Sequence, residues 1–237
     1  MSEMLSSLPL LSPFIEFGFM RRALAGCLAL SLGATPVGVF LMLRRMSLAG
    51  DAMSHAILPG AAIGYLIAGL SLPAMTFGGL VAGLAVAVLA GGVARNTVIK
   101  EDASLATFYL LSLSAGVLII SLRGSSVDLL HVLFGSVLAL DDAALLLLAG
   151  FASLSVVALA LGLRLFALEA CDPLFLARIS RLAPVAHYGF MVLLVLNLVA
   201  GFHALGTLMA VGIMILPAAA ARLWVCNLGP LLLIAVL

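Results

Sequence analysis

Charged residues are scarce in this sequence: Asp, Glu, Lys and Arg make up 9% of its 237 residues, whereas hydrophobic residues make up 65%. Soluble domains usually carry about 25% charged residues. A water-soluble core of this size could not bury so much apolar surface, because small domains leave much of their surface in contact with water. The apolar excess must therefore face lipid. A net charge of +1 also argues against a nucleic-acid-binding face and against an acidic tail.

Cysteine is equally sparse. Cys27, Cys171 and Cys226 lie far apart in the sequence, and none belongs to a CxxC pair. An odd count without ligand spacing argues against a disulfide framework and against a thiolate metal site. We expect the three thiols to pack as inert apolar side chains.

Long apolar runs, separated by charged and turn-forming residues, make up most of the chain. About 20 apolar residues span a bilayer as a helix. We therefore predict an all-α polytopic membrane bundle of about seven to eight transmembrane helices, in one domain over residues 1–237. The full spans are predicted at residues 23–43, 52–70, 74–94, 103–122, 143–166, 185–202 and 205–224.

Four segments do not qualify as spans. Residues 1–20 lack the charge order of a secretory signal and are predicted to lie at the membrane interface. Residues 125–141 are predicted to form a short helix and a turn, and residues 167–183 a cytoplasmic segment. A final apolar run begins at Asn227 and is too short to cross a bilayer. We therefore expect that the chain lacks its C-terminal end or ends in a half-helix.

The basic residues predict the orientation, since they favour cytoplasmic loops. With the loop after the first span inside, the N-terminus is outside and most basic residues are cytoplasmic. The cytoplasmic set is Arg44, Arg45, Arg95, Lys100, Arg164, Arg178, Arg181 and Arg222.

Asp51 and His55 are four residues apart in an otherwise apolar predicted helix. This spacing puts both side chains on one helix face, within reach of a shared ligand. A carboxylate and an imidazole suit Zn²⁺, Mn²⁺ or Fe²⁺, and ionisable residues at membrane depth are usually functional. The spacing also leaves open that Asp51 caps the N-terminus of the helix and that His55 hydrogen-bonds to it.

Asp172 and Pro173 predict the start of a short helix in the polar stretch from Glu169 to Arg181, because proline favours the first helical position. Leu174 and Phe175 would be exposed on this helix and could dock a soluble partner. An ordinary solvated connector is the alternative.

Five strings resemble the permease subunits of zinc, manganese and iron ABC importers. They are RRMSLAGDAMSHAILPG (44–60), KEDA (100–103), VDLLHVLFGS (127–136), GTLMAVG (206–212) and ILPAAAAR (215–222). The strings follow the order of that family, and the resemblance extends over about residues 17–225.

The resemblance implies a permease of the metal and vitamin B12 importer architecture, in a bacterial inner membrane, without enzymatic activity or an intrinsic cofactor. It implies a second copy of the permease, cytoplasmic ATP-binding subunits and an external metal-binding protein as partners, and no nucleic acid. Asp51 and His55 correspond to the metal-coordinating pair of the family. The segment corresponding to its ATPase-coupling helix contains Asp172, Pro173, Leu174, Phe175 and Ala177.

Two further histidines, His131 and His203, are additional candidates for the metal pathway. His203 stands where the family has a neutral residue, and a surface histidine is the alternative there. The family also usually continues through a further helical hairpin.

Other functions remain open at this point. An ion-coupled secondary metal transporter could use Asp51 and His55 as a relay and would need no ATPase. An intramembrane metalloenzyme is disfavoured, because the sequence has no HExxH-type pair. Siderophore and vitamin B12 permeases have no reason to pair a carboxylate with an imidazole. Among metals, the Asp–His pair favours zinc slightly over manganese.

Overall fold

The computed structural model describes residues 17–69, 71–123 and 140–237, and this part of the chain is helical without any β-strand. The predicted short helix within residues 125–141 falls almost wholly outside it. The described helices are α1 (Gly18–Leu43), α2 (Ser47–Ala68), α3 (Leu72–Asn96), α4 (Glu101–Arg123), α5 (Asp142–Cys171), α6 (Pro173–Ile179), α7 (Ala183–Leu205), α8 (Thr207–Trp224) and α9 (Leu228–Val236).

Six of the described helices are long and apolar enough to cross a membrane, namely α1, α3, α4, α5, α7 and α8. α2 has 22 residues, but Asp51 and His55 lower its hydropathy. Together with the six, it accounts for the seven predicted spans. The predicted all-α membrane bundle is confirmed.

Some helix ends differ from the predicted ones. α1 begins at Gly18, so the end of the predicted interfacial segment 1–20 belongs to the first span. α5 continues to Cys171 and takes in the beginning of the predicted cytoplasmic segment 167–183. The physical reason is that Glu169, expected in a polar connector, is buried in the last turn of α5.

The turn between α7 and α8 also lies later than expected. The sequence predicts a corner at residues 201–203, but α7 continues to Leu205 and the chain turns at Gly206, whose φ is +79°. Glycine adopts this conformation at little cost. Gly201 instead permits a close helix contact, since a Cβ there would lie 2.7 Å from the Ala210 Cβ on α8.

α7 lies at the centre of the bundle, in contact with α1, α2, α3, α5 and α8. A helix surrounded by others is apolar on all faces, and Phe190 and Leu194 are fully buried. The buried Asn197 amide donates to the Ser155 Oγ on α5 at 2.7 Å and to the Leu193 carbonyl at 2.8 Å. Buried polar groups need such partners, and here they tie α5 to the central helix.

The three cysteines, expected to pack as inert apolar side chains, have exposed side chains. Cys27 lies on an outward face of α1, Cys171 is the last residue of α5, and Cys226 lies between α8 and α9. Their surroundings are therefore the outer surface of the helices and not the core.

Candidate functional site

Asp51 and His55 lie one turn apart on the same face of α2, with the His55 Nε2 3.6 Å from the Asp51 Oδ1. This distance is longer than a hydrogen bond, so neither group is committed to the other. The Asp51 side chain is 53% exposed and the His55 side chain is 24% exposed. The predicted pair is therefore brought together, with both groups accessible to a shared ligand.

The alternative in which Asp51 caps α2 is wrong. α2 begins at Ser47 and its N-cap is Met46, so Asp51 lies inside the helix. The preceding turn explains this early start: the Met46 N–H donates to the Leu41 carbonyl at 3.0 Å, and Arg45 has a φ of +59°. These are features of a Schellman motif, which ends α1 and turns the chain directly into α2.

A pocket of about 170 Å³ lies beside Asp51, between α2 and α4. This volume holds several water molecules. Tyr109, which lines the pocket, also stacks on the His55 ring with 6.2 Å between the ring centroids. The His55 Nδ1 has no hydrogen-bond partner among the described residues. The pocket is lined by Leu48, Ala49, Asp51, Ala52, Asp102, Leu105, Ala106 and Tyr109.

Asp102 and Tyr109 are neighbours of the Asp51–His55 pair that sequence reasoning missed. For Asp102 a signal was present, since it belongs to the KEDA string at the start of α4. Tyr109 gave none, because a single aromatic residue in an apolar helix is ordinary packing.

α4 also supports α2 at Pro59. Proline lacks the N–H that would bond to the His55 carbonyl. Gly116 lets α4 approach this point, since a Cβ on Gly116 would lie 2.8 Å from the Pro59 Cβ. The Ser112 Oγ donates to the Ala56 carbonyl at 3.1 Å. α4 therefore braces the turn that follows His55.

A second group of ionisable side chains, Arg44, Glu101, Glu169 and His187, forms what we call the ionic cluster. The Glu169 Oε1 lies 3.9 Å from an Arg44 Nη and 3.6 Å from the His187 Nδ1. On its other side, the His187 Nε2 lies 3.3 Å from the Glu101 Oε1. The Arg44 guanidinium also lies over the Phe190 ring, 4.2 Å from its centroid.

The ionic cluster is largely buried. The side chains of Arg44, Glu169 and His187 are each 6–7% exposed. Burial lowers the pKa of the Arg44 guanidinium, and the negative charges of Glu169 and Glu101 oppose this shift. Charges persist in such surroundings only when they are paired. Sequence reasoning did not predict the cluster, because its members lie far apart in the chain and form no motif.

The predicted helix start at Asp172 is confirmed. α6 runs from Pro173 to Ile179, and the Asp172 Oδ1 accepts a hydrogen bond from the Phe175 N–H at 2.9 Å. Leu176 is buried against α7, next to Ala183 and Ala186. α6 is therefore anchored on one face and uncovered on the other. Every residue of α6 except Leu176 is exposed, including the apolar Leu174, Phe175, Ala177 and Ile179.

The two additional histidine candidates are not joined to the pair by the described structure. His131 lies outside the described residues. His203 is in the last turn of α7, and its side chain is outside the described part of the chain. Within that part, no group of three or more His, Cys, Asp and Glu side chains is arranged to hold a metal ion. A single described chain therefore offers Asp51 and His55 as a partial site.

Sequence comparisons identify the family. The model of the ABC 3 transport family matches residues 16–237. The manganese import system permease protein ScaB of Streptococcus parasanguinis is 34% identical over 220 residues, which cover 93% of this chain and 77% of that protein. The manganese transport system membrane protein MntC of Listeria innocua is 32% identical over 225 residues, or 95% and 79% of the two chains. A probable iron transport system membrane protein of Haemophilus influenzae is 30% identical over 209 residues, or 88% and 75%.

A solved structure agrees with these relatives. PsaBC from Streptococcus pneumoniae, in complex with a Fab, matches with a TM-score of 0.80 and 31% identity, over 95% of this chain and 80% of that chain. The agreement therefore covers the order and packing of the helices as well as the sequence. The chain belongs to the ABC 3 transport family, as a multi-pass permease of a bacterial inner membrane and not as an enzyme.

Proposed function

We propose that this chain is the membrane-spanning subunit of an ATP-driven importer of a divalent transition metal, and that Asp51 and His55 bind the metal in transit. One observation carries this proposal. A carboxylate and an imidazole lie 3.6 Å apart on one helix face, beside a pocket that contains a second carboxylate, Asp102. Such donors suit divalent first-row metals. Relatives named for manganese and iron transport support the same assignment.

Manganese is the first candidate for the cargo. Carboxylate oxygens suit Mn²⁺, whereas imidazole and thiolate favour Zn²⁺. The pocket adds Asp102 to Asp51, and no cysteine is among its lining residues. The zinc preference expected from Asp51 and His55 alone is not confirmed by the relatives. Zinc and iron are therefore the second candidates for the transported metal, after manganese.

We also propose that two copies of the chain form the pathway between them. A bound Zn²⁺ ion usually has four ligands and a bound Mn²⁺ ion six, and the Asp51–His55 pair of one chain would supply two of them. A second copy facing the first would supply two more. Such a shared site would open when the copies move apart, which suits transport, because a transported ion must be released as readily as it is bound.

The exposed face of α6 supports cytoplasmic ATP-binding subunits as partners. Leu174 and Phe175 are 72% and 50% exposed, and Arg178 adds a positive charge on the same short helix. An apolar patch with a charged rim is typical of protein contact surfaces. An ion-coupled secondary carrier would have no use for this surface. An external metal-binding protein completes the proposed importer.

Manganese uptake by cells that lack their own manganese importers tests the proposal. The chain is expressed with its ATP-binding subunit and its solute-binding protein. We expect Asp51→Ala and His55→Ala to lower Mn²⁺ uptake by about 10-fold or more, since even indirect partners of a metal contribute that much. Co-purification of the ATP-binding subunit should persist.

The matched control is Asp142→Ala. Asp142 is the first residue of α5, and its exposed carboxylate lies 3.3 Å from the Arg22 guanidinium. This variant should transport normally. Normal uptake by both Asp51→Ala and His55→Ala would reject their proposed role. Uptake that persists when the ATP-binding subunit cannot hydrolyse ATP would favour the ion-coupled carrier.

A further inference from the structure

The ionic cluster joins four elements of the bundle. Arg44 is the C-cap of α1, Glu101 is the first residue of α4, Glu169 lies in the last turn of α5, and His187 lies near the start of α7. The Glu169 carboxylate faces both Arg44 and His187, and the His187 ring extends the contact to Glu101. A displacement of any one of these elements must therefore alter the pairing of the others.

The pairing in this cluster is loose. Its nitrogen–oxygen distances are 3.3–3.9 Å, whereas charged hydrogen bonds are normally about 2.7–2.9 Å long. The Arg44 Nε, the His187 Nε2 and the Glu101 Oε1 are buried and make no hydrogen bond within the described structure. Buried polar atoms are rarely left in this condition. The four groups therefore have the capacity to pair more tightly in a second arrangement of the helices.

On one side, the cluster is attached to α6. Glu169 lies four residues before Pro173, where α6 begins. The buried Leu176 of α6 packs against Ala186, and Ala186 is the neighbour of His187 in α7. A force on α6 therefore reaches Glu169 through the chain and His187 through packing.

On the other side, the cluster is attached to the elements that form the Asp51 pocket. Arg44 lies three residues before Ser47, where α2 begins. Glu101 is followed directly by Asp102, which lines the pocket with Asp51. The KEDA string is thus divided between two sites, with Glu101 in the cluster and Asp102 in the pocket.

We infer that the ionic cluster couples movement of α6 to the Asp51 pocket, and that its four side chains are positioning residues for metal transport. This inference rests on the proposed function. A push on α6 shifts Glu169 and His187 against Arg44 and Glu101. The new pairing moves the first turns of α2 and α4 relative to each other, which opens or closes the pocket between them. Re-pairing of buried charges between two discrete helix arrangements is a known form of switch.

Transport in lipid vesicles tests the inference. The full chain is reconstituted with its ATP-binding and solute-binding partners, and Mn²⁺ import and ATP hydrolysis are measured in the same sample. Glu169→Gln removes the central charge of the cluster at nearly constant shape. We expect the Mn²⁺ imported per ATP hydrolysed to fall about 5-fold or more, the scale of a typical coupling between sites, while hydrolysis continues.

Asp142→Asn is the matched control, because it removes the charge of an exposed Arg–Asp pair at the opposite end of the same helix. Its ratio of import to hydrolysis should equal that of the wild type. An unchanged ratio in Glu169→Gln would overturn the inference and leave the proposed function intact. No import of Mn²⁺, Fe²⁺ or Zn²⁺ by the wild-type assembly would reject the proposed function and the inference with it.

A second variant separates coupling from fold stability. Arg44→Met combined with Glu169→Leu replaces the ion pair with apolar side chains of similar size, a change that buried pairs often tolerate without loss of stability. We expect this variant to unfold at the wild-type temperature and still to show the lowered import ratio. A cluster that only stabilised the fold would give a normal ratio in this variant, and that result would also overturn the inference.

Discussion

Gly60 of α2 and Gly78 of α3 pack backbone against backbone. A Cβ added at either position would collide with the carbonyl group of the other, and Gly64 meets the Ala74 carbonyl in the same way one turn further along. Helices in a membrane associate through such close contacts. Lipid is as apolar as the helix surfaces, so the hydrophobic effect does not draw the helices together. This contact holds α3 against the helix that carries the Asp51–His55 pair.

Replacement of Gly78 by alanine should destabilise the protein. The added methyl group has no space and must push α2 and α3 apart, at a cost of about 1–3 kcal/mol for an overpacked contact. Thermal unfolding of the purified protein in detergent measures this loss. Gly92→Ala is the control on the same helix, because a Cβ at Gly92 meets nothing within 4 Å. It should be neutral or stabilising, since alanine favours helix more than glycine. Equal losses in both variants would contradict the close contact.

The spans could be predicted from the sequence because the thickness of the bilayer sets the length of a spanning helix. Each span is therefore visible in the sequence as an apolar run of that length. The helix ends could not be predicted as well, because tertiary contacts decide them. The sequence predicts Glu169 in a polar connector. In the structure its carboxylate lies beside Arg44 and His187 inside the bundle, and α5 continues through it. Gly201 and Gly206 are both possible turn positions in the sequence. In the structure Gly201 packs against α8, and the chain turns at Gly206.

The candidate functional site also has one part that could be predicted from the sequence and one part that could not. Asp51 and His55 could be predicted as a pair, because a spacing of four residues on a helix fixes their proximity locally. The pocket that joins Asp51 to Asp102 depends on how α4 packs against α2, and the contact between Glu101 and His187 depends on where the first residue of α4 lies beside α7. No local pattern encodes such packing, so these contacts are visible only in the folded chain.

Replacement of Asp51 by cysteine should change the metal preference. A thiolate is a softer ligand than a carboxylate and favours Zn²⁺ over Mn²⁺. The Zn²⁺ concentration that halves Mn²⁺ uptake should therefore fall several-fold in Asp51→Cys. Ser114→Cys is the control, since it adds a thiol on an exposed face of α4, where the Ser114 hydroxyl donates to the Leu110 carbonyl. Mn²⁺ uptake with unchanged Zn²⁺ competition in Asp51→Cys would show that Asp51 does not contact the metal.

Replacement of Leu174 by aspartate should weaken binding of the ATP-binding subunit without unfolding the permease. Leu174 is 72% exposed in the first turn of α6, where a negative charge suits the helix dipole. Co-purification measures the binding and thermal unfolding measures the stability. Leu176→Ala gives the contrast, because Leu176 is 3% exposed and its truncation should cost about 2–5 kcal/mol. Undiminished co-purification of Leu174→Asp would exclude this face of α6 as the docking surface.

Arg45 should tolerate glycine but not valine. Its φ of +59° is unfavourable for L-residues by about 1–2 kcal/mol, worst for β-branched side chains, and glycine adopts it freely. Arg45→Gly and Arg45→Val remove the same charge, so each controls for the other. Thermal unfolding should show Arg45→Gly at or above the wild-type stability and Arg45→Val below it. The turn at Arg45 places Arg44 in the ionic cluster and leads directly into α2. We therefore expect Arg45→Val to lose Mn²⁺ uptake as well. Equal stability of the two variants would mean that the backbone conformation at Arg45 does not govern the turn.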